Sequence, residues 1–272
     1  MMRFSICNET FDGWPWQQTC KFVARCGYDG IEVAPFTLAE DVRAIDGKAR
    51  SEIRRAAEAQ SLQIVGLHWL LVSPKGLSAT ASNPEVRRAT SDYLVALVDF
   101  CADLGGSVMV FGSPAQRRME EGVSRSEAMR RYVECLRPAL DRAQTQSIVM
   151  CIEPLPAPEA NFILTLDEAA EVLNVLQHPA AKSILDVKSA STETEPVETL
   201  IRRHASIIAH VHANDANRRG PGFGSTDFRP IFAALRDIGY AGYVSVEAFD
   251  YTPDPETVAR ESLAYLRSCE AT

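Results

Sequence analysis

Ile207–Phe228 reads IIAHVHANDANRRGPGFGSTDF, and the organisation of the whole chain follows from it. The opening apolar run alternates His210 and His212 with Ala209 and Val211, so in an extended strand both imidazoles point to one face. The run then enters a polar, glycine-rich loop holding Asn214, Asp215, Asn217, Arg218 and Arg219. Asp227 closes the loop as an N-cap signal before an apolar helix. A strand that ends in a histidine and opens into a charged loop is how a (β/α) barrel presents a site at its C-terminal face.

Working outward, β-rich runs alternate with amphipathic stretches along the whole chain. Strands are expected at Arg3–Cys7, Gly30–Ala34, Gln63–Trp69, Ser107–Phe111, Ser147–Glu153, Ser183–Val187, Ser206–His212 and Gly242–Glu247. The helices between and after them are expected near Trp16–Cys26, Gly47–Gln60, Pro84–Leu104, Ser126–Gln144, Leu166–Leu176, Pro196–His204, Phe228–Ile238 and Pro255–Ser268. Gly27 and Gly239 stand where a helix must stop before the next strand. Strand and helix alternate throughout, with no low-complexity linker, so the expected fold is α/β, a single (β/α)8 TIM barrel over residues 1–272. An open doubly wound sheet is the competing architecture, but the glycine-rich dinucleotide fingerprint is missing after the first strand.

Composition narrows the function. With 46% hydrophobic and 24% charged residues the chain has an ordinary globular make-up. Its net charge of -8 argues against a polyanion partner, since nucleic-acid affinity rests on Lys and Arg neutralising phosphates. Seven cysteines without a CxxC pair read as reduced thiols. No apolar stretch is long enough for a signal peptide or membrane span, so a cytoplasmic protein without membrane or nucleic-acid partners is expected.

Four strand ends in the second half carry good metal-binding side chains: Glu153 in CIEP, Asp186 in ILDVK, His212 in HVHAND and Glu247 in SVEAF. Their separations of 33, 26 and 35 residues (153 to 186, 186 to 212, 212 to 247) each approximate one βα unit. Consecutive strands therefore deliver one ligand each to a common rim. Three carboxylates and an imidazole suit one divalent ion, Mn2+, Mg2+, Co2+ or Zn2+, with open positions left over. If the strand continues past Asp186, Lys188 faces the same pocket, where with Arg218 it either binds a carboxylate or phosphate on the substrate or projects into solvent. His68, ending IVGLHW, touches substrate or serves structure, and Glu32 in GIEVA is placed to orient it. His210, one pleat from His212, reads as a buried, hydrogen-bonded core residue.

These residues resemble the sugar phosphate isomerase/epimerase group with the xylose isomerase-like TIM barrel. The likeness spans essentially the whole chain and is most specific from His210 to Phe249, in PGFGSTDF, Ala234-Leu235, Gly239-Tyr240 and Glu247. It implies that Glu153, Asp186, His212 and Glu247 hold the ion. It further implies that Glu153 and Glu247 exchange the proton on opposite faces of a keto-sugar, and that Arg218 and Glu159 contact substrate. One departure is Ser189, which stands where the group's ketose 3-epimerases carry a histidine.

The expected activity is thus a metal-dependent isomerase or epimerase of a keto-sugar or sugar-derived acid. A dehydratase on the same proton-abstraction route is the alternative. The group's DNA-repair endonuclease branch is disfavoured by only five histidines and the acidic charge. A non-catalytic sugar-binding barrel is the remaining class, raised by Ser189. Family members often form dimers or tetramers through the barrel rim, so the resemblance implies a homo-oligomer.

Overall fold

Runs such as VMVF and VMCI have apolar residues at consecutive positions, the pattern of strands covered on both faces. In the computed structural model, which describes residues 2–271, they form parallel strands β1 (Arg3–Cys7), β2 (Gly30–Val33), β3 (Gln63–Leu67), β4 (Val108–Phe111), β5 (Val149–Ile152), β6 (Ala181–Asp186), β7 (Ile208–Ala213) and β8 (Tyr243–Val246). Neighbours in sequence are neighbours in the sheet, which closes from β8 back to β1 as an eight-stranded barrel. The helices are α1 (Trp16–Cys26), α2 (Gly47–Glu58), α3 (Pro84–Leu104), α4 (Arg125–Thr145), α5 (Leu166–Leu176), α6 (Val187–Ala190), α7 (Val197–Arg203), α8 (Phe228–Asp237) and α9 (Pro255–Glu270). None is long and apolar enough to cross a membrane.

Local chemistry sets the helix ends. Asn83, Ser124, Thr165, Asp227 and Asp254 each accept a backbone N–H of the first turn they precede. Gly27 ends α1 at φ 96°, a left-handed conformation that costs glycine nothing. Gly239 takes the same role after α8 at φ 67°. All seven cysteines are free, and only Cys26 is not fully buried.

By its internal contacts the chain groups into two units. The first comprises residues up to Val33, Glu52–Val65 and Ile184 onward. Within it β1 pairs with β2 (Ile6 opposite Ile31, Cys7 opposite Glu32) and with β8, while β7 pairs with β8 (His212 opposite Ser245). Phe4, Phe228 and Phe232 pack there at centroid distances of 6.0 and 6.1 Å.

The second unit is Ala34–Ser51 with Gly66–Ser183. Its ladder places Gly66 opposite Val108, Phe111 opposite Ile152, and Ile152 opposite Ser183. Gly66 is required: a Cβ there would lie 1.8 Å from the Val108 carbonyl oxygen, which is backbone and cannot swing away. Gly66→Ala is therefore expected to cost roughly 3 kcal/mol, read as a lower denaturant midpoint with an unchanged m-value.

The expected strands are all present, but several end sooner. β3 stops at Leu67 rather than Trp69, β5 at Ile152 rather than Glu153, and β8 at Val246 rather than Glu247. His68, Glu153 and Glu247 therefore stand one residue beyond their strands, where the backbone leaves the ladder. The strand continuation on which the placement of Lys188 rests is likewise absent. The strand does not continue past Asp186; the Asp186 carboxylate accepts Ser189 N at 2.6 Å and starts the one-turn helix α6, which carries Lys188.

Candidate active site

Alternation along β7 and the residue after it turns His210, His212 and Asn214 to one face, and all three are buried. Glu32, third residue of β2, receives both imidazoles: its Oε2 lies 2.8 Å from His210 Nε2 and its Oε1 3.2 Å from His212 Nε2. Burial pushes the Glu32 carboxyl up, but the two imidazoles, His210 before His212, outweigh it and hold the group well below its ordinary 4.5. Glu32 is thus an anion that accepts from Nε2 of both rings, which leaves Nδ1 of His212 as the nitrogen turned away from it.

The second nitrogen meets a carboxylate. His212 Nδ1 is 3.3 Å from Glu247 Oε2. Asn214 Nδ2 reaches the same oxygen at 3.3 Å and donates to Asp186 Oδ2 at 2.5 Å. Asn214 Oδ1 in turn accepts Lys188 N at 2.8 Å. One buried amide therefore ties together both carboxylates and the start of α6. The Cys7 thiol below them is pushed well above 9.0 by burial and then by Glu9 and Glu32, so it keeps its proton and offers no thiolate.

Glu153 is buried, its N–H donating to Phe111 O at 3.2 Å. Its carboxylate rests on Gly112, where a Cβ would come within 2.0 Å of Oε2. Asp186, His212 and Glu247 each offer one ligand atom, and these atoms lie within 4.8 Å of one another; Glu153, the fourth expected ligand, follows β5 in the second unit. The donor set fits a hard divalent ion: three carboxylates, and an imidazole whose second nitrogen is tied to a carboxylate, as outer partners of metal-bound histidines usually are.

The remaining expected residues are spread differently. Lys188 is 5% exposed, with Nζ 5.0 Å from the centre of the Phe249 ring. The Arg218 guanidinium also lies 5.0 Å from that centre, though its residue is exposed. His68 is buried beyond β3, and Glu159 is half-buried on the loop after β5. Ser189 is buried with no hydrogen-bond partner for its hydroxyl. His210 is the buried, hydrogen-bonded residue expected, with Glu32 as its partner.

The loops after β7 and β8 are joined through their backbones. Glu247 N donates to Ala213 O at 3.1 Å, and Arg218 O accepts both Phe249 N at 2.9 Å and Asp250 N at 3.1 Å. Asp215 N bonds Arg219 O at 2.9 Å, and the Arg219 side chain donates to Thr252 O. Gly224 lies against buried Asp215, whose carboxylate accepts the Thr226 hydroxyl at 2.9 Å.

With the fold and site described, the chain belongs to the xylose isomerase-like TIM barrel family, whose model matches residues 20–269. Among its relatives is the D-psicose 3-epimerase of Ruminiclostridium cellulolyticum, 25% identical over 244 residues, covering 86% of this chain and 80% of that one. Another is the fructoselysine 3-epimerase of Shigella flexneri, 22% identical over 264 residues and covering 93% of each. In fold the chain is similar to the 3-keto-D-glucoside 4-epimerase from Escherichia coli in its apo form, with a TM-score of 0.87 at 22% identity, covering 99% of this chain and 100% of that one.

Proposed function

We propose that this protein is a divalent-metal-dependent epimerase of a keto-sugar or sugar-derived acid, working as one barrel domain. The observation that carries the reading is the orientation of His212, held by Glu32 at Nε2 and turned toward Glu247 by Nδ1, with Asp186 beside them. The sugar 3- and 4-epimerases among the relatives support the class of reaction.

In this reading Glu153, Asp186, His212 and Glu247 hold the ion. When bound, the ion supplies Lewis-acid polarisation of the substrate's oxygens, which acidifies the carbon beside the carbonyl. One of Glu153 and Glu247 removes that proton, and the other delivers a proton to the opposite face. Asn214 keeps Asp186 and Glu247 from turning away, and Glu32 keeps the His212 proton on Nε2. Glu159 and His68 line the sugar.

Lys188 and Arg218, sharing the Phe249 ring, bind a carboxylate or phosphate on the substrate. Metal analysis of protein purified without chelator is expected to find near-stoichiometric divalent ion. Keto-sugars and sugar acids incubated with it in deuterated water are expected to exchange one carbon-bound proton without change of skeleton. Loss of 18 mass units, the departure of water, would instead mark a dehydratase. Lys188→Ala and Arg218→Ala are each expected to raise KM for an acidic sugar roughly tenfold while leaving neutral keto-sugars unaffected. Equal effects on both substrate types would remove the anionic end from the proposal.

A further inference from the structure

Arg117 ends the 3-10 turn Pro114–Arg117 that follows β4, and it is 0% exposed. A buried guanidinium has five N–H donors to satisfy. Here Nη1 donates to Ile163 O at 3.3 Å, while Nε and Nη2 are buried with no acceptor. The hydroxyl of Tyr132, on α4, is likewise buried and unpartnered. Tyr132 is flanked by Phe111 at 5.4 Å and Phe162 at 5.7 Å, so apolar rings line its sides.

Burial lowers the Arg117 pKa, against which Tyr132, Glu153 and Glu168 act. The Glu168 carboxylate is already engaged by Leu164 N at 2.9 Å and by Arg125 at 3.5 Å, near the surface. Glu153 is the deeply buried member of that pair. The backbone connects it to Arg117 as well, because Ile163 O accepts both Arg117 Nη1 and Leu155 N, two residues beyond Glu153. Gly112, five residues before Arg117, is the platform under the Glu153 carboxylate.

We infer that Arg117 is a positioning residue for Glu153. Its spare Nε–H and Nη2–H, together with the Tyr132 hydroxyl, hold the Glu153 carboxylate through an internal water, leaving one carboxylate oxygen directed at the ion. Such a water satisfies three buried donors and acceptors at once, which is the usual reason an internal water is retained. The inference rests on Glu153 being a ligand.

The test compares Arg117→Met, Arg117→Lys and Tyr132→Phe with wild type, using Mn2+ alone as the probe. If Arg117 serves Glu153, Arg117→Met binds Mn2+ at least roughly tenfold more weakly, the range seen when the outer partner of a ligand is lost. Its metal-free form melts lower than wild type as well, because removing one partner of a buried charge pair leaves the other uncompensated. Arg117→Lys recovers part of the affinity, and Tyr132→Phe loses a few-fold. A metal-free melting point that falls while Mn2+ affinity stays unchanged would overturn the inference and leave Arg117 as a tether for Ile163. Should Arg117→Met fail to fold, unchanged Mn2+ affinity in Arg117→Lys and Tyr132→Phe overturns it equally. Absence of Mn2+ binding in wild type instead defeats the reading of Glu153 itself.

Discussion

Glu247→Gln and Glu153→Gln are each expected to lower turnover by roughly 10²- to 10⁴-fold, the contribution of a positioned acid or base. Glutamine is close to isosteric with glutamate, so the barrel is kept; what disappears is the capacity to take a proton and the charge that holds a hard cation. The two losses should differ in kind. With the two carboxylates on opposite faces of the substrate, each variant keeps one competent base. Deuterium from solvent should then still enter the epimer served by the surviving glutamate, although conversion to the other epimer stops. The double variant should be little worse in conversion than either single one, because the residues act as a unit, and it should lose the one-sided exchange. Exchange and conversion followed together by NMR check this. Full conversion in either single variant would show that the paired-glutamate route is wrong.

The second large effect is expected at Glu32, which touches no substrate in this reading. Glu32→Gln leaves His210 and His212 facing a neutral amide in place of an anion. The amide can donate as well as accept, so it no longer dictates which His212 nitrogen carries the proton. A divalent ion should bind roughly 10- to 100-fold more weakly, measured by calorimetry.

The same group sets an acid limit in the wild type. Its folded pKa lies below the ordinary 4.5, so its contribution to stability is fully present above that value and is lost as pH falls through the lower folded pKa. Glu32→Gln should remove that part of the acid sensitivity. A variant whose ion affinity matches wild type would show that Nδ1 of His212 needs no help from β2.

Much of this was legible in the residues because barrels repeat. Spacing near one βα unit placed Glu153, Asp186, His212 and Glu247 on successive strand ends, and alternation put His210 beside His212. Asn214 continues that same alternation by one more step and was within reach of the argument, although its amide partners, Asp186 and Glu247, are remote in sequence. Gly112 and Arg117 gave no such sign. A glycine after VMVF resembles a loop glycine, and an arginine in PAQRR resembles a surface cation. Only the packing of neighbouring strands reveals that the first makes room for a carboxylate and the second is sealed from water. The one-turn helix at Val187–Ala190 was hidden for a related reason, since it depends on Asp186 spending one oxygen on Ser189 N.

The backbone bonds from Ala213 to Glu247 and from Arg218 to Phe249 and Asp250 bear on how such a barrel can be re-engineered. Transplanting the segment after β7 from another barrel, in search of a new substrate range, would change the backbone that carries the Arg218 carbonyl on which Phe249 and Asp250 are seated. The two segments form one exchangeable cassette. Chimeras that move both should melt close to wild type, and those that move either alone should melt lower, so selectivity in this chain is inherited in pairs of loops.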